Sequence, residues 1–105
     1  MREFPEKDWK LFRKKLPGWQ EEYMCRLCKE YMDLLGSDQS GAKRFWELEK
    51  RVKTDRKNTG VIAEMSRSKM IYNLVNLLAE GAITMDDLDE FSDDVKEAVK
   101  MIARL

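Results

Sequence analysis

Met70-Ile71-Tyr72-Asn73-Leu74-Val75-Asn76-Leu77-Leu78-Ala79 is the longest stretch of this chain without a charged side chain, and its reading decides the fold. Wound as a helix, it is apolar at Met70, Ile71, Tyr72, Leu74, Val75, Leu77 and Leu78, which cover most of the circumference. Lys69, Asn73, Asn76 and Glu80 are left as a polar strip. A helix apolar nearly all round must be buried. This run is far too short to span a membrane. It therefore reads as the centre of a helical core, within a helix predicted over about residues 61–80 and ended by Gly81.

Helical periodicity continues on both sides. Trp9, Phe12 and Leu16 mark a helix over about residues 6–16, which Pro17-Gly18 should stop. Met24, Cys28, Tyr31 and Leu35 form the stripe of a second helix over about residues 19–35. Leu27 and Leu34 widen it on one side, Cys25 and Met32 on the other, and Gly36 suits its end. A third helix, about residues 42–57, has a narrow stripe of Phe45, Leu48 and Val52. Its pairs Glu47→Arg51 and Glu49→Lys53 are favourable at i,i+4, and most of it should face water. Asn58-Thr59-Gly60 reads as a stop or a kink. Thr84 and Ser92 are N-caps for a short helix near residues 85–90 and a final one near residues 93–103. Leu88, Val95, Val99 and Ile102 would then face the core. The expected fold is all-α: a single compact domain, residues 1–105, of five or six helices around a buried central helix.

With 38% charged and 43% hydrophobic residues, the chain is too apolar to be disordered. Its formal charge of zero conceals a polarity. Residues 43–69 hold nine basic and four acidic side chains, whereas residues 79–105 hold three basic and eight acidic. Met1-Arg2-Glu3-Phe4-Pro5 shows no apolar leader, and two cysteines suit a reducing compartment. A cytoplasmic protein without membrane association is expected.

The chain has no histidine, so a Ser-His or Cys-His nucleophile cannot be assembled. Neither common phosphate-cradling glycine motif is present. Cys25-Arg26-Leu27-Cys28 offers half of a structural zinc site, which a dimer could complete; the preferred reading is two small buried hydrophobes. Glu21-Glu22 and Glu30-x-x-Asp33 approach the magnesium motif of helical pyrophosphohydrolases, but Cys25 stands where its third glutamate should be. A solvated carboxylate face is the better reading. We expect no enzyme activity and no cofactor.

Two charged segments remain as partner-binding candidates. Asp86, Asp87, Asp89 and Glu90, followed by Asp93 and Asp94, lack the spacing of a calcium loop. N-capping accounts for part of this run, and the rest suits a basic surface. The basic segment holds Lys43, Arg44, Lys50, Arg51, Lys53, Arg56 and Lys57, with Arg67 and Lys69 beyond. Trp46 sits among them, off the narrow stripe, a hot-spot composition unless the ring folds over a core edge. Trp19 and Tyr23, near the polar side of the second helix, are weaker candidates of the same kind.

The run Asp8-Trp9-Lys10-Leu11-Phe12-Arg13-Lys14-Lys15-Leu16-Pro17-Gly18-Trp19-Gln20-Glu21 resembles small helical proteins of bacterial mobile elements and prophages. Phe45-Trp46-Glu47-Leu48-Glu49-Lys50-Arg51 and Gly81-Ala82-Ile83-Thr84-Met85-Asp86-Asp87-Leu88 extend the likeness over nearly the whole chain. Its motifs are structural and carry over no catalytic residue. Some members bear a multidrug-transporter label, at odds with the lack of any spanning segment here. Small phage and mobile-element proteins of this size include anti-CRISPR inhibitors. The resemblance therefore implies an inhibitor that binds a type II CRISPR effector nuclease with its guide RNA and blocks DNA binding or cleavage. The alternatives are a small nucleic-acid-binding regulator using residues 43–69, or a generic interaction module of a mobile element. A monomer or small homo-oligomer is expected.

Overall fold

The computed structural model describes residues 3–105. Met1 and Arg2, the start of the stretch read for a leader, lie outside them. The described residues form four α-helices and two short 3-10 turns: α1 (Glu6–Leu35), α2 (Gly41–Asp55), a turn at Arg67–Lys69, α3 (Met70–Ala79), a turn at Met85–Leu88 and α4 (Asp93–Ala103). The all-α class holds, with four helices in place of the expected five or six.

The helix count falls because Pro17-Gly18 does not end the first helix and because the short helix expected near residues 85–90 is only a 3-10 turn at Met85–Leu88. The chain runs through Pro17-Gly18 as one helix of 30 residues. Phe12, Leu16, Trp19, Tyr23 and Leu27 recur on one face across the break and are all buried. A proline inside a helix costs about 3 kcal/mol. Burying one large apolar side chain contributes roughly 1.5–3 kcal/mol, so five on a continuous face outweigh it. Pro17 and Gly18 themselves are exposed, where the missing hydrogen bond can be replaced by water.

A second correction concerns residues 61–69. They were expected to be the start of the central helix, which instead begins at Met70. Val61 and Ile62 close a turn on the Asn58 carbonyl, the chain then runs without regular structure to Ser66, and Val61 and Ala63 lean on the core while Ile62 and Glu64 are exposed. Asn73, expected on a polar strip, is buried and donates from Nδ2 to the Glu64 carbonyl at 2.9 Å, which fixes the segment. Arg67 pairs with Glu6 and so ties the segment to the start of α1.

The core lies between the first 22 residues of α1, α3 and α4. Leu74 and Leu77 of α3 and Val95 and Val99 of α4 are fully covered, as is Leu88 between them. Phe12, Trp19 and Phe91 meet ring to ring with centroids 6.4–6.5 Å apart. Trp19 and Tyr23 thus belong to the core rather than to a surface, and Tyr72 of the central helix is exposed. The final helix matches its expected span, but Ile102 is exposed rather than core-facing.

Asp8 is a further buried polar anchor. Its Oδ1 accepts from the Ser92 backbone N–H at 2.9 Å and its Oδ2 from the Ser92 hydroxyl at 2.7 Å. The same hydroxyl caps α4 by accepting from Val95 N–H. This relay joins the first turn of α1 to the first turn of α4, 84 residues away in sequence.

The molecule is long, 52 × 26 × 23 Å, with a radius of gyration of 16.4 Å. A compact chain of this length would have about 13 Å. The excess comes from an arm: the last turns of α1 and all of α2, which folds back along them.

Candidate functional site

The returning half of the arm begins at Ser40, whose side chain accepts from Lys43 N–H and starts α2. Arg44 crosses to α1 and donates from Nη1 to the Leu35 carbonyl at 2.7 Å, satisfying one of the open acceptors at that helix end. Further along, Tyr31 donates its hydroxyl to Asp55 at 2.6 Å. Arg51 lies over the Tyr31 ring, 5.5 Å from its centroid, and bonds Glu30 at 2.6 Å. The two helices are thus joined by a polar knot. No residue of α2 is buried, so the expected stripe of Phe45, Leu48 and Val52 is not a core: Leu48 is half-buried, and Phe45 and Val52 are exposed.

Burial and the Asp55 hydrogen bond raise the Tyr31 pKa from 10.0 to about 12. The raised value means that the neutral phenol is the stabilising form. Its contribution is complete below pH 10 and is lost as pH rises through about 12. A spectrophotometric titration should show one phenol ionising at about 12, and Tyr31→Phe should remove it. Persistence of that late component in Tyr31→Phe would refute the assignment.

At its base the arm is clamped to the body. The Glu80 carboxylate accepts from Thr59 N–H at 2.8 Å and Gly60 N–H at 2.9 Å. Gln20 donates to the Thr59 carbonyl, and Asn58 donates to the Tyr23 hydroxyl. Asn58-Thr59-Gly60 is therefore an anchored joint and not merely a helix stop. Nothing in the sequence pointed to Glu80 as its receptor.

With Arg44 and Arg51 used internally, the outward side of α2 carries the rest of the basic set. Lys43, Trp46, Lys50 and Lys53 follow at i, i+3, i+7 and i+10, one helical face, with Lys57 in register just beyond Asp55. Lys53 also approaches Glu49 at 4.0 Å. Lys43, Lys50, Arg56 and Lys57 are exposed. Trp46 is 64% exposed and Phe45 62%, and the two rings meet edge to face with centroids 5.0 Å apart. Neither ring folds over the core. Met32 and Leu35 at the end of α1 add to the apolar tip.

The acidic candidates are not on this face. Asp87 closes a capping box with Thr84, and Glu90 pairs with Lys15 at 3.0 Å. Asp86 and Asp89 are exposed. Their turn borders a shallow cavity with Glu21, Cys25 and Lys29 of α1, which no residue of α2 lines. Arg67 and Lys69 lie at the start of α3, away from α2. Cys25 and Cys28 are both exposed thiols rather than buried hydrophobes, because the buried face of α1 is centred on Trp19, Tyr23 and Leu27. Among the described residues no group of three Cys, Asp or Glu side chains is placed to hold a metal ion. Glu21, Glu22, Glu30 and Asp33 are exposed, as a solvated face requires. No helix among the described residues is long and apolar enough to cross a membrane.

No protein-family model, curated protein or solved structure matches the chain.

Proposed function

We propose that this protein is a non-enzymatic binding protein that engages an acidic macromolecular surface through the outer face of α2. One observation carries the reading. A helix of 15 residues buries none of them, yet presents two exposed aromatic rings among the exposed lysines Lys43, Lys50 and Lys53, of which Lys53 also approaches Glu49. An isolated helix of this length is marginal in water, and a partner would complete its packing. Trp46 anchors the contact, and the lysines steer encounter.

The partner we propose is a type II CRISPR effector nuclease carrying its guide RNA, whose DNA binding or cleavage the protein blocks. The resemblance of residues 8–21, 45–51 and 81–88 to mobile-element proteins supports this choice. An RNA-bearing complex also offers the negative surface that the face requires. The second reading is direct nucleic-acid binding by Lys43, Lys50, Lys53 and Lys57, which share one face. A net charge of zero weighs against it, because non-specific affinity follows net basic surface.

DNA cleavage by several type II nuclease–guide complexes, with and without excess protein, tests the proposal, with co-elution measured alongside. Loss of cleavage with co-elution is expected. Trp46→Ala should weaken binding by about 30-fold or more, the loss of one hot spot, while leaving the melting temperature nearly unchanged. Full cleavage and separate elution throughout would sink the nuclease as partner. Steeply salt-dependent DNA binding would then favour the second reading.

A further inference from the structure

Proteins bury free cysteine more completely than almost any other residue. Here Cys25 and Cys28 are both exposed, and Met32 is 70% exposed one turn further on. The three follow at i, i+3 and i+7 of α1, so they share one outer face of that helix. By helical spacing this face lies opposite the buried line of Trp19, Tyr23 and Leu27. Packing into the core therefore gives no reason for three sulfur side chains there. Cys25 makes one long hydrogen bond, Sγ to Glu21 Oε1 at 3.9 Å, which a stronger ligand for sulfur would displace.

An uninterrupted helix suits a shared ion better than a disulfide at this spacing. Residues three apart have Cβ atoms about 5–6 Å apart. A disulfide needs about 3.8 Å, so closing one would distort α1 in mid-course. An ion between the two sulfurs spans the wider gap. Helical side chains lean toward the N-terminus, which lets the long Met32 side chain reach back toward Cys28.

We propose that Cys25, Cys28 and Met32 form a binding site for a soft monovalent cation, the cuprous ion. Two thiolates and a thioether are the ligand types that favour it. A structural zinc needs four ligands and an iron–sulfur cluster needs four cysteines. This chain has two cysteines and no histidine, and among the described residues no acidic side chain joins the pair as a third ligand. A cuprous ion is satisfied by two or three soft ligands. Both thiols release their protons to solvent as they bind. The site uses no residue of α2, so it stands independently of the partner reading above.

Anaerobic titration of the reduced protein with cuprous ion, against a chelator whose colour reports the copper it holds, tests the proposal. One ion per chain is expected, with no change in elution volume and with thiolate-to-copper ultraviolet absorption rising to that end point. Cys25→Ser and Cys28→Ser should each weaken binding by about 100-fold or more, at or beyond the upper end of what changes outside the ligand shell produce. Met32→Leu should weaken it about tenfold while keeping the ultraviolet band, as loss of the weaker thioether ligand requires. All three positions are exposed, and circular dichroism would confirm that each variant is folded. No copper retained against the chelator would overturn the proposal, as would a cysteine variant that binds like the wild type. Half an ion per chain on a larger species would overturn it in favour of a site shared between copies. An unchanged affinity in Met32→Leu would overturn the three-sulfur site. None of these outcomes bears on nuclease inhibition, which is read separately.

Discussion

Gly60→Ala is expected to lower stability by about 3 kcal/mol, the upper end of the usual cost of overpacking. A Cβ at position 60 would stand 2.3 Å from Tyr23 Cδ2, 2.7 Å from Cγ and 2.8 Å from Cε2. No carbon can sit so close, so one side must move. The ring has little freedom: Tyr23 is buried and its hydroxyl is held by Asn58. The backbone has little either, because Glu80 holds the N–H groups of residues 59 and 60. For a chain of this size the loss corresponds to a fall in melting temperature on the order of 10–20 °C. Thermal melting followed by circular dichroism reads it directly. A change within about 2 °C would show that the joint does not rest on Tyr23.

Asp8→Ala should cost a similar amount, about 3 kcal/mol, through the loss of two hydrogen bonds to a carboxylate. The residue is 1% exposed and serves both the N–H and the hydroxyl of Ser92. Without it the Ser92 N–H loses its acceptor at the start of α4, and the negative group near that helix end disappears as well. Asp8→Asn keeps the shape and one acceptor and should cost roughly half as much. Urea unfolding separates the two: the midpoint should fall in the order wild type, Asn, Ala with an unchanged slope. Equal losses for Asn and Ala would place the stabilisation in the charge rather than in the paired hydrogen bonds.

Where local chemistry determines structure, the sequence was readable. Ser92 followed by acids and the spacing of Val95 and Val99 define α4 without tertiary information. Thr84 and Asp87 do the same for the preceding turn. Where packing overrides local preference, the fold departs from the local signals. Pro17-Gly18 is a sound stop signal, overridden by the apolar face that crosses it. Periodicity alone centres the stripe of α1 on Met24, Cys28, Tyr31 and Leu35, whereas the buried one runs through Tyr23 and Leu27. Several apolar residues flank each candidate face there, and only the position of α3 and α4 decides between them. The same uncertainty misplaced both cysteines.

The candidate site shows the same division. Trp46 could be read as exposed because it falls off the apolar stripe of a charged helix. Phe45 could not, because its spacing to Leu48 and Val52 is that of a buried seam. Which cations remain available was also hidden. Arg44 and Arg51 look like their neighbours in sequence, yet they are spent on the Leu35 carbonyl and on Glu30.

The unbroken course of α1 has a consequence for recognition. A helix of 30 residues is about 45 Å long, close to the greatest dimension of the molecule. One rigid rod therefore carries both the core residues Phe12 and Leu16 and the support for Trp46. Had the chain broken at Pro17-Gly18, those two ends would be linked by a swivel whose freedom any binder must remove. With no swivel, the face proposed to bind is already oriented relative to the core. Beyond the translational and rotational cost that any association carries, the conformational entropy lost in the proposed binding would then be confined to a few side chains at the tip.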